Sequence, residues 1–126
     1  MELVGDTHLN FLAALSRNNP EDDSLTVYIE GDGQAWSIEE LSADPTPSDP
    51  VALRLALAYP DVGNIAYLAR PCQYMIRNGT VCDPRLWSSQ RYAEGVVSVY
   101  NSTISKLKTR FHAKSIQLVG YSGGGA

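Results

Sequence analysis

The apolar positions change their period along the chain, and each change marks an element. Between Thr7 and Leu15, the residues Leu9, Phe11, Ala13 and Leu15 alternate with His8, Asn10, Leu12 and Ala14. That period of two predicts a strand, with a short helix as the competing reading. The turn cluster Asn18-Asn19-Pro20-Glu21-Asp22-Asp23 closes it. Leu25-Thr26-Val27-Tyr28-Ile29-Glu30 is β-branched and aromatic and predicts a second strand. It halts at Gly31-Asp32-Gly33, where glycine opens backbone conformations that other residues avoid. Gln34 to Ser48 is polar and carries Pro45 and Pro47, so it reads as a surface loop around Trp36.

A helix follows. Asp49 suits the N-cap, Pro50 the first helical position, and Val51 to Tyr59 are helix formers apart from Val51, before Pro60 ends the run. Asn64 to Ala69 is a mostly apolar strand that stops at Arg70-Pro71, and Cys72 to Trp87 is a second irregular stretch. From Ser88 to Phe111, the apolar residues Tyr92, Val96, Tyr100, Ile104, Leu107 and Phe111 recur every three or four positions. Such a stripe belongs to an amphipathic helix of about six turns. Lys106, Lys108, Arg110 and His112 fall near its C-terminus, where positive charge suits the helix dipole. Ser115 to Val119 then predicts a short buried strand. Helices between buried strands oblige those strands to run the same way. The order therefore predicts an α/β fold with a mostly parallel sheet and crossover helices.

Composition narrows the function without choosing it. With 44% hydrophobic and 19% charged residues in 126, the chain is globular and large enough for one modest core, hence one domain. A net charge of -4, with the ten basic residues scattered, argues against a nucleic-acid surface. No apolar run approaches the roughly 20 residues that span a bilayer, and the first residues lack the layout of a signal peptide. Cys72 and Cys82 are ten positions apart, near enough for a small-loop disulfide, with free thiols as the other reading. No second pair or neighbouring His completes a metal-ligand set, and no cofactor is expected.

The chemistry concentrates at Gly120-Tyr121-Ser122-Gly123-Gly124, which runs directly out of the last strand. A serine on a sharp strand-to-helix bend needs small residues on both sides, and its hydroxyl then stands exposed above the sheet. Without the strand before it, such a run would read as a flexible loop. The Gly-x-Ser-x-Gly spacing after a strand resembles the nucleophile elbow of the α/β-hydrolases.

That resemblance implies a partial α/β-hydrolase fold. Residues 1–126 would be a single incomplete domain, the first half of the family's fold through the nucleophile elbow. The implied activity is acyl-enzyme hydrolysis of a small-molecule carboxylic ester, with Ser122 as catalytic nucleophile and the Gly123 amide as one oxyanion donor. The second donor would come from the loop after the Leu25 strand, the amide of Asp32 or of Gly33. The family carries a His-Gly or Gly-rich motif there, and this chain has Glu30-Gly31-Asp32-Gly33 instead. An ionised Asp32 turned inward would repel the oxyanion, so its side chain should point away or pair, with Arg70 as the partner. A tight turn at 31–33 and a solvated Arg70 are the plainer readings of the same residues.

The resemblance further implies that the Leu25 strand lies between the Ile65 and Ile116 strands. In the family the acid and the His follow the nucleophile, and here four residues follow Ser122. His8 and His112 lie upstream and read as structural. The chain alone is therefore expected to be inactive, and a complementing C-terminal chain is a possible partner. A chymotrypsin-like site would need an all-β fold and an upstream His and Asp, and a phosphate loop would need a Gly-Lys-Ser/Thr ending. A non-catalytic α/β module binding a ligand or partner at the same crevice is the alternative function.

Overall fold

The computed structural model describes residues 2–5, 10–17, 23–31, 36–37, 40–41, 45–58, 64–75 and 94–121. Their elements run β1 (Glu2–Gly5), β2 (Asn10–Arg17), β3 (Ser24–Ile29), β4 (Trp36–Ser37), β5 (Glu40–Leu41), α1 (Val51–Ala58), β6 (Asn64–Leu68), α2 (Glu94–Arg110) and β7 (Ser115–Gly120). Five strands form one sheet in the order β1-β2-β6-β3-β7. β1 pairs antiparallel with β2 and β2 antiparallel with β6, whereas β3 is parallel to both β6 and β7.

The sheet is therefore mixed, and the expectation of a mostly parallel sheet with crossover helices, a partial α/β-hydrolase fold, is corrected. The reason lies in the connections. A parallel pair needs a crossover of a dozen or more residues, and the links from Gly5 to Asn10 and from Arg17 to Ser24 are far shorter. The first two strands can only reverse direction. Helix-length connections occur only later, before β6 and before β7, and the expected placing of β3 between β6 and β7 is observed. One further reading is corrected: Gln34 to Ser48, which reads from the sequence as a surface loop around Trp36, contains the small antiparallel pair β4 and β5.

Side chains alternate across the strands and feed two separate cores. Phe11, Ala13, Leu25, Val27, Ala66 and Leu68 face α2, where they meet Val96, Tyr100, Leu107 and Phe111. The intervening residues Tyr28, Ile65, Tyr67 and Ala69 face α1 and meet Ala52 and Ala56. The buried residues of α2, Val96, Tyr100, Thr103 and Leu107, keep the spacing of three and four that the sequence predicts, and Phe11 stacks on Tyr100 with ring centroids 4.1 Å apart. On the other face, two alanines one turn apart let α1 approach the sheet closely. A groove of about 250 Å³ remains open between Leu53, Leu57, Ala14 and Ile65. Leu57 is 70% exposed.

β7 forms an edge of the sheet and is largely exposed, Leu118 at 56%, rather than the buried strand expected from its apolar residues. Among the described residues its ladder is with β3. No helix among the described residues is long and apolar enough to cross a membrane.

Candidate functional site

The carboxyl ends of β3, β6 and β7 meet at one end of the sheet. Register sets this: Ile29 pairs with Leu68 on one side and with Gly120 on the other. Two bonds carry the parallel ladders one residue further, Glu30 N–H to the Leu68 carbonyl at 3.0 Å and Tyr121 N–H to the Ile29 carbonyl at 3.3 Å. The chain thus leaves β3 and β7 side by side. Ser122, Gly123, Asp32 and Gly33, the residues assigned to catalysis and the oxyanion hole, follow those exits and lie outside the described residues.

Among the described residues at this end of the sheet, the centre is Glu30. Glu30 is 2% exposed. Period-two alternation puts it in phase with Tyr28 on the α1 face, so a carboxyl group enters a core where an unpartnered charge would be very costly. Three donors converge on it. Oε1 accepts the Gly31 N–H at 3.0 Å and the Ala52 N–H at 3.3 Å, and Oε2 accepts the Tyr67 hydroxyl at 2.8 Å. Ala52 lies in the first turn of α1, whose early amides have no partner within the helix. Glu30 therefore serves as a cap contributed from a distant strand.

Asp49, the cap expected from the sequence, is engaged otherwise: Arg54 grips its two oxygens at 2.6 and 2.9 Å on the exposed surface. The Tyr67 hydroxyl has one proton, which it gives to the carboxylate. Tyr74, 3.2 Å away, must then donate to the Tyr67 oxygen, making a relay from Tyr74 through Tyr67 to Glu30. Burial raises the Tyr67 phenol well above its ordinary value of 10.0, and its bonds to Tyr74 and Glu30 add to this. Burial raises Tyr74 as well, against the lowering effect of its bond to Tyr67.

A tight turn, Pro71 to Met75, follows β6 and packs under the same end. Cys72 (φ 72) and Tyr74 (φ 64) both take the left-handed conformation, which costs a non-glycine residue roughly 1–2 kcal/mol. Cys72 is disulfide-bonded, and the chain's other cysteine, Cys82, lies outside the described residues. Between these two strained positions, Gln73 is driven fully into the interior. Its Oε1 accepts the Arg70 N–H at 3.0 Å, while Nε2 donates to the Gly31 carbonyl at 2.9 Å and to that of Pro45 at 3.4 Å. The Tyr74 amide donates to Thr46 Oγ1 at 2.7 Å, fastening the 45–47 segment to the turn.

Arg70, proposed from the sequence as the partner of Asp32, holds its guanidinium 5.1 Å from the centroid of the Tyr100 ring. Tyr100 in turn donates its hydroxyl to the Ala69 carbonyl at 2.5 Å. Its phenol is raised by burial, against the lowering effect of Arg70. The pairing with Asp32 itself lies outside the described residues. His112 sits just beyond α2 with φ 53, at the opposite end of β7 from Gly120, as the sequence implied. A six-residue strand separates the two ends by roughly 17–20 Å, so His112 stands far from Gly120. His8 lies outside the described residues. Among the described residues no group of three or more His, Cys, Asp or Glu could hold a metal ion.

Glu30, Tyr67, Tyr74 and Gln73 were not singled out from sequence. One signal was available: a charged residue in register with the apolar face of a buried strand, two positions after Tyr28. Compared with known proteins, the chain matches no family model, no curated protein and no solved structure.

Proposed function

We propose that the protein is a serine hydrolase acting on carboxylic esters, with Ser122 as nucleophile and the amides of Gly123 and of Asp32 or Gly33 as the oxyanion donors. The observation that carries this reading is the pairing of Ile29 with Gly120, extended by the Tyr121-to-Ile29 bond. It starts the two glycine-rich segments from neighbouring strand ends. A nucleophile supplied by one segment and a donor amide supplied by the other is what acyl transfer requires within a few ångströms. The buried polar scaffold around Glu30 and Gln73 supports the same reading, because preorganised donors need a rigid base. A general base must also reach Ser122.

A fluorophosphonate probe applied to the complete assembly, the chain together with the C-terminal segment that complements it, tests the proposal. Covalent labelling at Ser122, abolished in Ser122→Ala together with a loss of ester turnover of at least about 10³-fold, is the expected result. A folded protein that neither labels nor turns over esters would leave a non-catalytic binding module as the better reading.

A further inference from the structure

Thr103, in the C-terminal half of α2, is 4% exposed, and its hydroxyl has no hydrogen-bond partner among the described residues. A buried hydroxyl on a helix ordinarily turns to the carbonyl four residues back. Thr109 on the same helix does this, donating to the Ser105 carbonyl at 3.3 Å. Thr103 instead lines a cavity of about 180 Å³ between α2 and the edge strand β1. A polar group left without a bond in the interior is costly until a ligand or a water meets it.

The cavity combines an apolar wall with a charged rim. Thr103, Lys106, Leu107 and Arg110 recur at helical spacing, so they share one face of α2. Leu107 and, across from it on β1, Val4 supply the apolar wall. Gly5 also lines the cavity, at a φ of 113 that favours glycine, so no side chain projects there. Two cations stand beside it, and one is already committed. Arg110 Nη1 lies 2.9 Å from each oxygen of Glu2, and this hydrogen bond lowers the Glu2 carboxyl from its ordinary value, so the pair is neutral as a whole. Lys106 is exposed and has no anionic partner among the described residues. One positive charge is left over.

These features select a ligand. A monoanion matches the surplus charge, whereas a phosphate dianion would bring a second negative charge towards the Glu2 carboxylate. A carboxylate can accept from a hydroxyl and an ammonium at once, and a short alkyl chain behind it would cover Leu107 and Val4. The volume is roughly six times the ~30 Å³ that one water takes up in the liquid, room for a chain of a few carbons. We propose that this cavity binds a short-chain aliphatic carboxylate, its oxygens held by the Thr103 hydroxyl and the Lys106 ammonium and its chain laid against Leu107 and Val4. The site is separate from the strand ends that carry Gly31 and Tyr121, because β1 lies three strand spacings from β3 and four from β7, roughly 14–19 Å. It does not depend on the serine-hydrolase reading.

Titration of the folded chain with sodium butyrate, followed by calorimetry and by amide NMR shifts, tests the proposal. Binding should saturate at a single site, with the shifts centred on Val4, Gly5, Thr103 and Lys106. Thr103→Val keeps the shape of the side chain and removes the hydroxyl, and should weaken butyrate binding about tenfold. Its Tm should not fall, since the hydroxyl removed makes no bond in the free protein. Lys106→Gln should weaken binding by a similar factor and abolish its salt dependence. Butylamine, of the opposite charge, should not bind.

Three results would overturn the assignment: no saturable butyrate binding by the folded parent, parental affinity in either variant, or inorganic phosphate bound as tightly as butyrate. Should Thr103→Val fail to fold, Lys106→Gln, at an exposed position, decides the matter alone.

Discussion

The two helices lie on opposite faces of one sheet and are fastened to it by different chemistry. α2 is held by apolar surface: Val96, Tyr100 and Leu107 close over Phe11, Leu25, Val27 and Leu68. α1 spans only eight residues and has two buried alanines, too little surface to hold a short helix by burial alone. A buried carboxyl group at its first turn makes up the difference. The comparison teaches that tolerance to substitution should differ in kind between the faces. Packing under α2 degrades with the volume removed, whereas the α1 side depends on keeping donors and acceptors matched.

The largest effect is expected on the α2 face. Phe11→Ala removes a fully buried ring and its stack on Tyr100. It should destabilise the protein by about 3–5 kcal/mol in urea titrations, a large share of the roughly 5–15 kcal/mol that holds a domain folded. A loss below about 1 kcal/mol would mean the site collapses around the cavity and the α2 face is not the tighter one.

Next comes Glu30→Gln, which keeps the shape of the side chain and removes its charge. Three donors lose a charged acceptor, and a fourth donor, the amide NH2, is introduced among them. The expected cost is about 2 kcal/mol. Glu30→Gln and Tyr67→Phe should couple in a double-mutant cycle, since each already breaks the bond the other removes. Additive losses would show that the relay is not a unit.

The same division decides what could be read from the sequence. The β3, β6 and β7 strands, both helices and the stripe on α2 follow from apolar periodicity, because burial imposes a period on residue type. Direction did not follow so readily. Interleaved helices justify parallel pairing only for the strands they separate, and no helix stands between β1 and β2 or between β2 and β3. Nor did the cap on α1. Asp49 has the right residue type at the right place, yet its carboxylate is gripped by Arg54 and the Ala52 amide is met by Glu30, 22 residues away. A tertiary hydrogen bond leaves no periodic trace. As for the site, the strand ends that carry Gly31 and Tyr121 are adjacent as expected, while Gln73 and the tyrosine relay arise from a turn whose conformation no residue in it announces.

Alkaline pH offers a third, smaller test, this time between tyrosines. Burial raises the Tyr100 phenol above its ordinary value of 10.0, so the folded state holds this proton more tightly than the unfolded chain. The stability it lends is complete below about pH 10 and is lost as pH climbs beyond, by about 1.4 kcal/mol per pH unit. Tyr100→Phe loses the bond to the Ala69 carbonyl and should be less stable than the parent at pH 7 by about 1 kcal/mol. The gap should narrow above pH 10. Parallel curves for the two proteins across that range would contradict a buried neutral phenol.

The smallest effect carries the sharpest distinction. If Asp49 capped α1, Asp49→Ala would cost about 1 kcal/mol, while Arg54→Ala would cost only the surface ion pair. The structure instead spends both oxygens of Asp49 on Arg54, at 2.6 and 2.9 Å, with both side chains more than 60% exposed. Such a pair is worth at most about 0.5 kcal/mol, and salt screens it. Asp49→Ala, Arg54→Ala and the double variant should then all lie within about 0.5 kcal/mol of the parent and converge at 1 M salt. A clear excess for Asp49→Ala over Arg54→Ala, persisting at high salt, would return the capping role to Asp49 and reduce the Glu30 carboxyl from the anchor of α1 to one contact among several.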